Sequence, residues 1–143
     1  MMRSVLITGG NAGLGKETAR LMALGGTERI YLACRNPEKA AAAKADLERS
    51  TSKSVFSVLI LDVMDLDSVR DAVAALPEPV EAAILNAGGV GGGTPGALTR
   101  DGVTHVTAVN ILGHAVLVEA LIQAGKLTRA AVYSGSEACR GIP

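Results

Sequence analysis

The sequence predicts an α/β fold, one parallel sheet with helices on both faces, from three observations. Short apolar runs alternate with longer, Ala-rich amphipathic ones along the chain. Glycines follow the first apolar run directly and open the first amphipathic one. Aromatics make up only 2% of the residues, so Ala, Val, Leu and Ile must fill the core, and small aliphatics suit a sheet buried on both sides.

Taken in order, Ser4 to Thr8 reads as a buried strand ended by glycines. Leu14 to Leu24 reads as a helix closed by Gly25-Gly26. Arg29 to Cys34 is a second strand. Pro37 to Arg49 is a helix, with Pro37 suited to its first turn. Ser54 to Leu61 is a third strand. Asp65 to Leu76 is a helix that Asp65 can cap. Val80 to Leu85 is a fourth strand. Residues 87–98 form a Gly-rich loop. Asp101 to Ala124 reads as one long helix, weakened by Gly102 and Gly113. Arg129 to Ser134 is a fifth strand. No repeat and no linker interrupts this order.

The chain has 143 residues, enough for one domain or part of a larger one. Formal net charge is zero, which leaves no basic footprint for a nucleic-acid partner. Cys34 and Cys139 form no CxxC pair, and reduced thiols in a cytoplasmic protein are expected. His105 and His114 stand alone, without ligand partners at metal spacing, and read as packing or interface residues. No metal site is expected. The first residues hold too short an apolar run for a signal peptide. Residues 82–98 lack charge but are broken by glycines, so no membrane span is expected.

The loop Thr8-Gly9-Gly10-Asn11-Ala12-Gly13-Leu14-Gly15 carries the functional signal. Its glycines allow a tight turn, close approach of backbone to a pyrophosphate, and close packing of helix on sheet. The helix N-terminus behind it offers free N–H groups and a positive dipole end. A strand, this loop, a helix and a second strand make a dinucleotide-binding unit. Gly9, Asn11, Ala12, Gly13, Leu14 and Gly15 are its candidate residues. The implied architecture is a Rossmann-type doubly wound sheet in strand order 3-2-1-4-5. Its ligand crevice lies at the strand carboxyl ends, between strands one and four.

The end of strand two selects the dinucleotide. A carboxylate there accepts from the ribose 2′-hydroxyl of NAD. This sequence has Cys34-Arg35-Asn36 instead, with no acid. A guanidinium can bind a 2′-phosphate through charge-assisted hydrogen bonds, so Arg35 and Asn36 point to NADP rather than NAD.

The TGxxxGxG pattern resembles the short-chain dehydrogenase/reductase family and departs from the commoner GxGxxG spacing. Leu32-Ala33-Cys34-Arg35-Asn36 and Val109-Asn110-Ile111-Leu112-Gly113-His114 look most like its retinol-dehydrogenase and protochlorophyllide-reductase branch. The resemblance runs to the fifth strand. It implies that Asp62 and Val63 meet the adenine, and that Asn86-Ala87-Gly88 pass close to the adenosine ribose. It implies that Asn110 holds a water in a proton relay by distorting its helix. It also implies a serine at the end of strand five that donates to the substrate carbonyl. Ser134 fits that place and Ser136 is the alternative; Ser-Gly-Ser is also ordinary turn composition.

The family's acid/base is a Tyr followed four residues later by a Lys. Here Tyr31 and Tyr133 are followed at that spacing by Arg35 and Glu137. The expectation is therefore the N-terminal part, residues 1–143, of a longer NADP(H)-dependent reductase, truncated after strand five. It would act on a small carbonyl or alcohol and form a homo-oligomer at full length. Two other readings stay open: a non-catalytic NADP-binding module that senses redox state or regulates a partner, and a half-domain completed by a second polypeptide.

Overall fold

The computed structural model describes residues 2–90 and 96–135. The elements run β1 (Ser4–Thr8), α1 (Gly13–Leu24), β2 (Arg29–Cys34), α2 (Pro37–Thr51), β3 (Phe56–Ile60), α3 (Leu66–Ala75), β4 (Val80–Leu85), α4 (His105–Gln123) and β5 (Leu127–Tyr133). The sheet has five strands in the order β3-β2-β1-β4-β5, every pair parallel. This is the Rossmann-type arrangement read from the alternation of elements.

Alternate side chains of a strand point to opposite faces, and β1 shows the result. Val5 and Ile7 join Ala19 and Ala23 of α1 and Ala40 and Leu47 of α2 in one core. Leu6 joins Val69 and Ala72 of α3 and Leu117 and Leu121 of α4 in the other. All five β1 residues are buried. The sheet therefore holds its central strand from both sides, and the loop that follows β1 starts from a fixed point.

Local chemistry sets the helix ends. The Asn36 carboxamide oxygen accepts from Lys39 N–H and caps α2, with Pro37 in the first turn. Asp65 Oδ1 accepts from Asp67 and Ser68 N–H and caps α3. Lys126 Nζ donates to the carbonyls of Val73, Ala74 and Leu76, which closes the end of α3.

Several boundaries differ from expectation, most of them by one or two residues. β3 begins at Phe56 rather than Ser54. β5 runs from Leu127 to Tyr133 rather than from Arg129 to Ser134. The long helix starts at His105, not Asp101. Gly102 has φ +78°, which no right-handed helix accepts, and Thr104 caps the helix by accepting from Thr107 N–H. Among the described residues, α4 also has the length and apolar content of a membrane-crossing helix, which the core helix of a soluble protein shares. Here its Leu117 and Leu121 are fully buried against the sheet.

Candidate functional site

A cleft of about 790 Å³ opens at the carboxyl ends of β1, β2 and β4. Gly9, Asn11, Ala12 and Gly13 form its floor, and Ala33, Cys34 and Arg35 one wall. Leu61, Asp62, Val63 and Met64 lie at the far end, and Asn86 to Val90 with His105 and Val109 close the other side. The chain winds from β1 through β2 to β3 on one side and crosses back to β4 on the other side of β1, so the cleft sits where the winding reverses.

The glycines differ in what they do. Gly9 has φ +66° and Gly13 φ +50°, conformations that side chains disfavour. A Cβ on Gly13 would meet no protein atom within 4 Å, so the space above this cleft-lining residue is the cleft itself. A Cβ on Gly15 would lie 2.4 Å from the Gly9 carbonyl oxygen and 2.6 Å from Asn86 Nδ2. Gly15 is thus a packing glycine that lets α1 sit on the loop. Leu14, in the first turn of α1, is exposed and does not line the cleft.

Thr8 is the hub beneath the loop, and the sequence reading missed it. Its Oγ1 accepts from the N–H groups of both Asn86 and Ala87, each at 2.9 Å. Asn86 Nδ2 donates to the Thr8 carbonyl at 3.2 Å. The ends of β1 and β4 are thereby tied together under the crevice.

Arg35 is exposed at the rim, and among the described residues it makes no ion pair or hydrogen bond. Asn36 beside it is committed to capping α2. Cys34 is buried, and burial pushes its thiol up to about 11, so it is an inert small wall residue. Asp62 reaches the cleft; its Oδ1 accepts from Met64 N–H and its own N–H donates to Ser68.

Asn110 sits in a π turn, Ala108–Leu112, inside α4. The turn is closed by the Gly113 N–H donating to the Ala108 carbonyl five residues back. The Asn110 side chain donates to the Gly89 and Val106 carbonyls and accepts from Gly89 N–H. Its carbonyl accepts from the Tyr133 hydroxyl. A Cβ on Gly88 would lie 2.8 Å from Asn110 Oδ1, which explains the glycine. Asn110 therefore clamps the loop after β4 to α4. Gly113, read as a helix weakness, has the opposite role: a Cβ there would lie 1.9 Å from the Val63 carbonyl oxygen. Only glycine lets α4 pass so close to the Val63 backbone at this end of the cleft.

Ser134 is exposed just past β5, and its N–H donates to the Leu85 carbonyl at 3.0 Å. Ser134 does not line the cleft. Ser136 lies outside the described residues. Tyr31 donates to Glu78 at 2.8 Å, and burial together with that bond pushes its phenol up to about 12. His114 is buried in the packing, as expected, but also hydrogen-bonds Thr8, and its ring meets Tyr133 edge-on at 6.0 Å.

The KR domain family matches residues 4–143. The chain belongs to this short-chain dehydrogenase/reductase family. The KR domain is 38% identical to retinol dehydrogenase 12 of Bos taurus, over 89% of this chain and 40% of that protein. It is 37% identical to the WW domain-containing oxidoreductase of Danio rerio, over 82% of this chain and 28% of that protein. It thus spans two fifths or less of these two relatives. Among solved structures, levodione reductase matches with TM-score 0.77 and 28% identity, covering 98% of this chain and 57% of that one. The alcohol dehydrogenase of Thermococcus sibiricus, complexed with 5-hydroxy-NADP, matches with TM-score 0.79 and 22% identity. That match covers 100% of this chain and 62% of that one, and it shows the shared fold.

Proposed function

We propose that this KR domain is the dinucleotide-binding part of an NADP(H)-dependent oxidoreductase that moves a hydride between nicotinamide and a carbonyl or alcohol. The observation that carries this is the cleft at the winding reversal, floored by bare glycine backbone and rimmed by an uncommitted Arg35 with no carboxylate at the end of β2. The residues fit the group. The open space above Gly13 receives the pyrophosphate against the start of α1. Arg35 binds the 2′-phosphate. Asp62 and Val63 meet the adenine, and Asn86, Ala87 and Gly88 pass beside the adenosine ribose.

The dinucleotide, when bound, supplies the hydride chemistry. The protein's part is to orient it and polarise the substrate oxygen. Ser134, with Ser136 as the alternative, donates a hydrogen bond to the carbonyl oxygen as charge develops there. Asn110 holds the loop of Gly88 and Gly89 against α4 and belongs to the proton path. The Tyr–Lys acid/base is not supplied by Tyr31 or Tyr133, whose hydroxyls are committed to Glu78 and to the Asn110 carbonyl. On this reading residues 1–143 bind NADP(H) but have no substantial turnover, and the full-length protein is a cytoplasmic homo-oligomer. The same two committed tyrosines favour the second reading, a non-catalytic NADP-binding module.

The test is a fluorescence titration with NADPH and NADH. The wild-type chain is expected to prefer NADPH. Arg35→Asp should weaken NADPH by about a hundredfold, as loss of charge-assisted bonds implies, and change NADH little. Equal losses for both dinucleotides would remove Arg35 from its role. No binding of either would remove the reading.

A further inference from the structure

We propose that His114 is a positioning residue for the dinucleotide cradle, its neutral Nε2 taking the Thr8 hydroxyl proton so that both Thr8 lone pairs face the Asn86 and Ala87 amides. The inference rests on the dinucleotide reading for its functional consequence and on hydrogen counting for its chemistry. A threonine hydroxyl has one proton and two acceptor positions. Thr8 Oγ1 already accepts two N–H groups, at 2.9 Å each. Its remaining neighbours are His114 Nε2 at 2.9 Å and the Ile84 carbonyl at 3.5 Å. The Ile84 carbonyl is the much poorer acceptor at that distance, and the Asn86 N–H it shares with Thr8 lies nearer Thr8, at 2.9 Å against 3.1 Å. The Thr8 proton therefore goes to Nε2, and Nε2 carries none of its own.

His114 must then be the neutral Nδ1–H tautomer. The surroundings agree. Its buried Nδ1 makes no hydrogen bond of ordinary geometry among the described residues, and the Asn110 carbonyl is the acceptor that favours a proton there. Burial holds the imidazole below its ordinary pKa, and the Asn110 carbonyl offsets this only in part. No charged side chain contributes to that shift. From β1 the ring meets Thr8, and from β5 it meets the titratable ring of Tyr133. A proton added at Nε2 would face the Thr8 proton across a 2.9 Å contact. Thr8 would have to rotate and release one of the two amides that shape the cleft beside Gly9. His114 reaches this hub from α4, 106 residues along the chain, and so links that helix to the start of the glycine loop.

The decisive experiment reads the ring first and the ligand second. Long-range ¹H–¹⁵N spectra of the 143-residue chain at pH 8 should show His114 protonated at Nδ1 and bare at Nε2. A ring protonated at Nε2 overturns the proposal, whatever the chain binds. His114→Gln, whose side-chain oxygen can still accept from Thr8, should keep slow amide exchange at Asn86 and Ala87 and NADPH affinity within about threefold. His114→Leu should speed that exchange and weaken NADPH about tenfold or more, and equal behaviour of the two variants overturns the proposal. Between pH 7.5 and 5 the wild-type affinity should fall by up to about tenfold per pH unit, the limit for one linked proton, and His114→Gln should flatten the fall. The predicted tautomer and exchange pattern without binding of either dinucleotide would sustain the His114 arrangement and sink the cofactor reading.

Discussion

The two edge strands of the sheet are built from similar residues and end in opposite states. β3 lies between α2, over Phe56, and α3, over Leu59, at 3% and 7% exposure, and of its apolar side chains only Ile60 is strongly exposed. β5 contacts β4 and the end of α4, yet Val132 and Tyr133 are 53% and 52% exposed. Ile111 and Ile122 of α4 are exposed as well. The side of the sheet that carries the glycine loop and Arg35 is closed by the chain's own helices. Among the described residues, the side that carries Ser134 leaves more apolar surface open. Among the described residues, the half of the sheet beside the glycine loop is thus the better covered one, and the β5 half is the more open.

The contrast can be broken most severely at the covered edge. Leu59→Lys places an unpaired charge in the core under α3, and urea unfolding should show a loss of more than about 3 kcal/mol. Gly113→Ala should be nearly as damaging, about 2–3 kcal/mol or more by the same measurement. The added carbon must displace the Val63 backbone, which a packed helix resists. Lys126→Met removes three bonds that fasten the start of β5 to the end of α3. A midpoint shift of about 1–2 kcal/mol is expected, and no shift would mean that the two sides are independent.

Acid should act on the boundary between the two sides. His114 is held below its ordinary pKa when folded, so on acidification the unfolded chain takes up the proton first. Its contribution to stability is complete above the unfolded value of about 6.5 and declines as pH falls below it, until the folded pKa is reached. Unfolding midpoints at pH 8, 6 and 5 should trace this decline, and His114→Gln should shrink it. The smallest effect belongs to the open edge. Val132→Lys should change stability by less than about 0.5 kcal/mol while reducing self-association in sedimentation.

Much of this was legible in the sequence because it rests on local pattern. Apolar runs and glycine stops located the strands, and their alternation with helices implied their order. What stayed hidden depends on pairs far apart in the chain. Nothing in the run around His114 names Thr8 as its partner. Gly113 looked like a helix defect because its reason lies in the Val63 carbonyl on another element. The π turn at Asn110 came only through family likeness, since no composition encodes one misplaced hydrogen bond. The late start of α4 was readable in principle from Asp101-Gly102 followed by Thr104, a turn and a cap.

A sheet without hairpins also dictates a schedule. Thr8 and Ile84, neighbours across the β1–β4 pair, are 76 residues apart. At ribosomal speeds that interval is roughly 4 to 15 seconds. Throughout it the apolar Val5-Leu6-Ile7 segment has been made and lacks its second flanking strand. This apolar segment therefore waits for its partner over the whole interval, and yield should depend on holding chaperones.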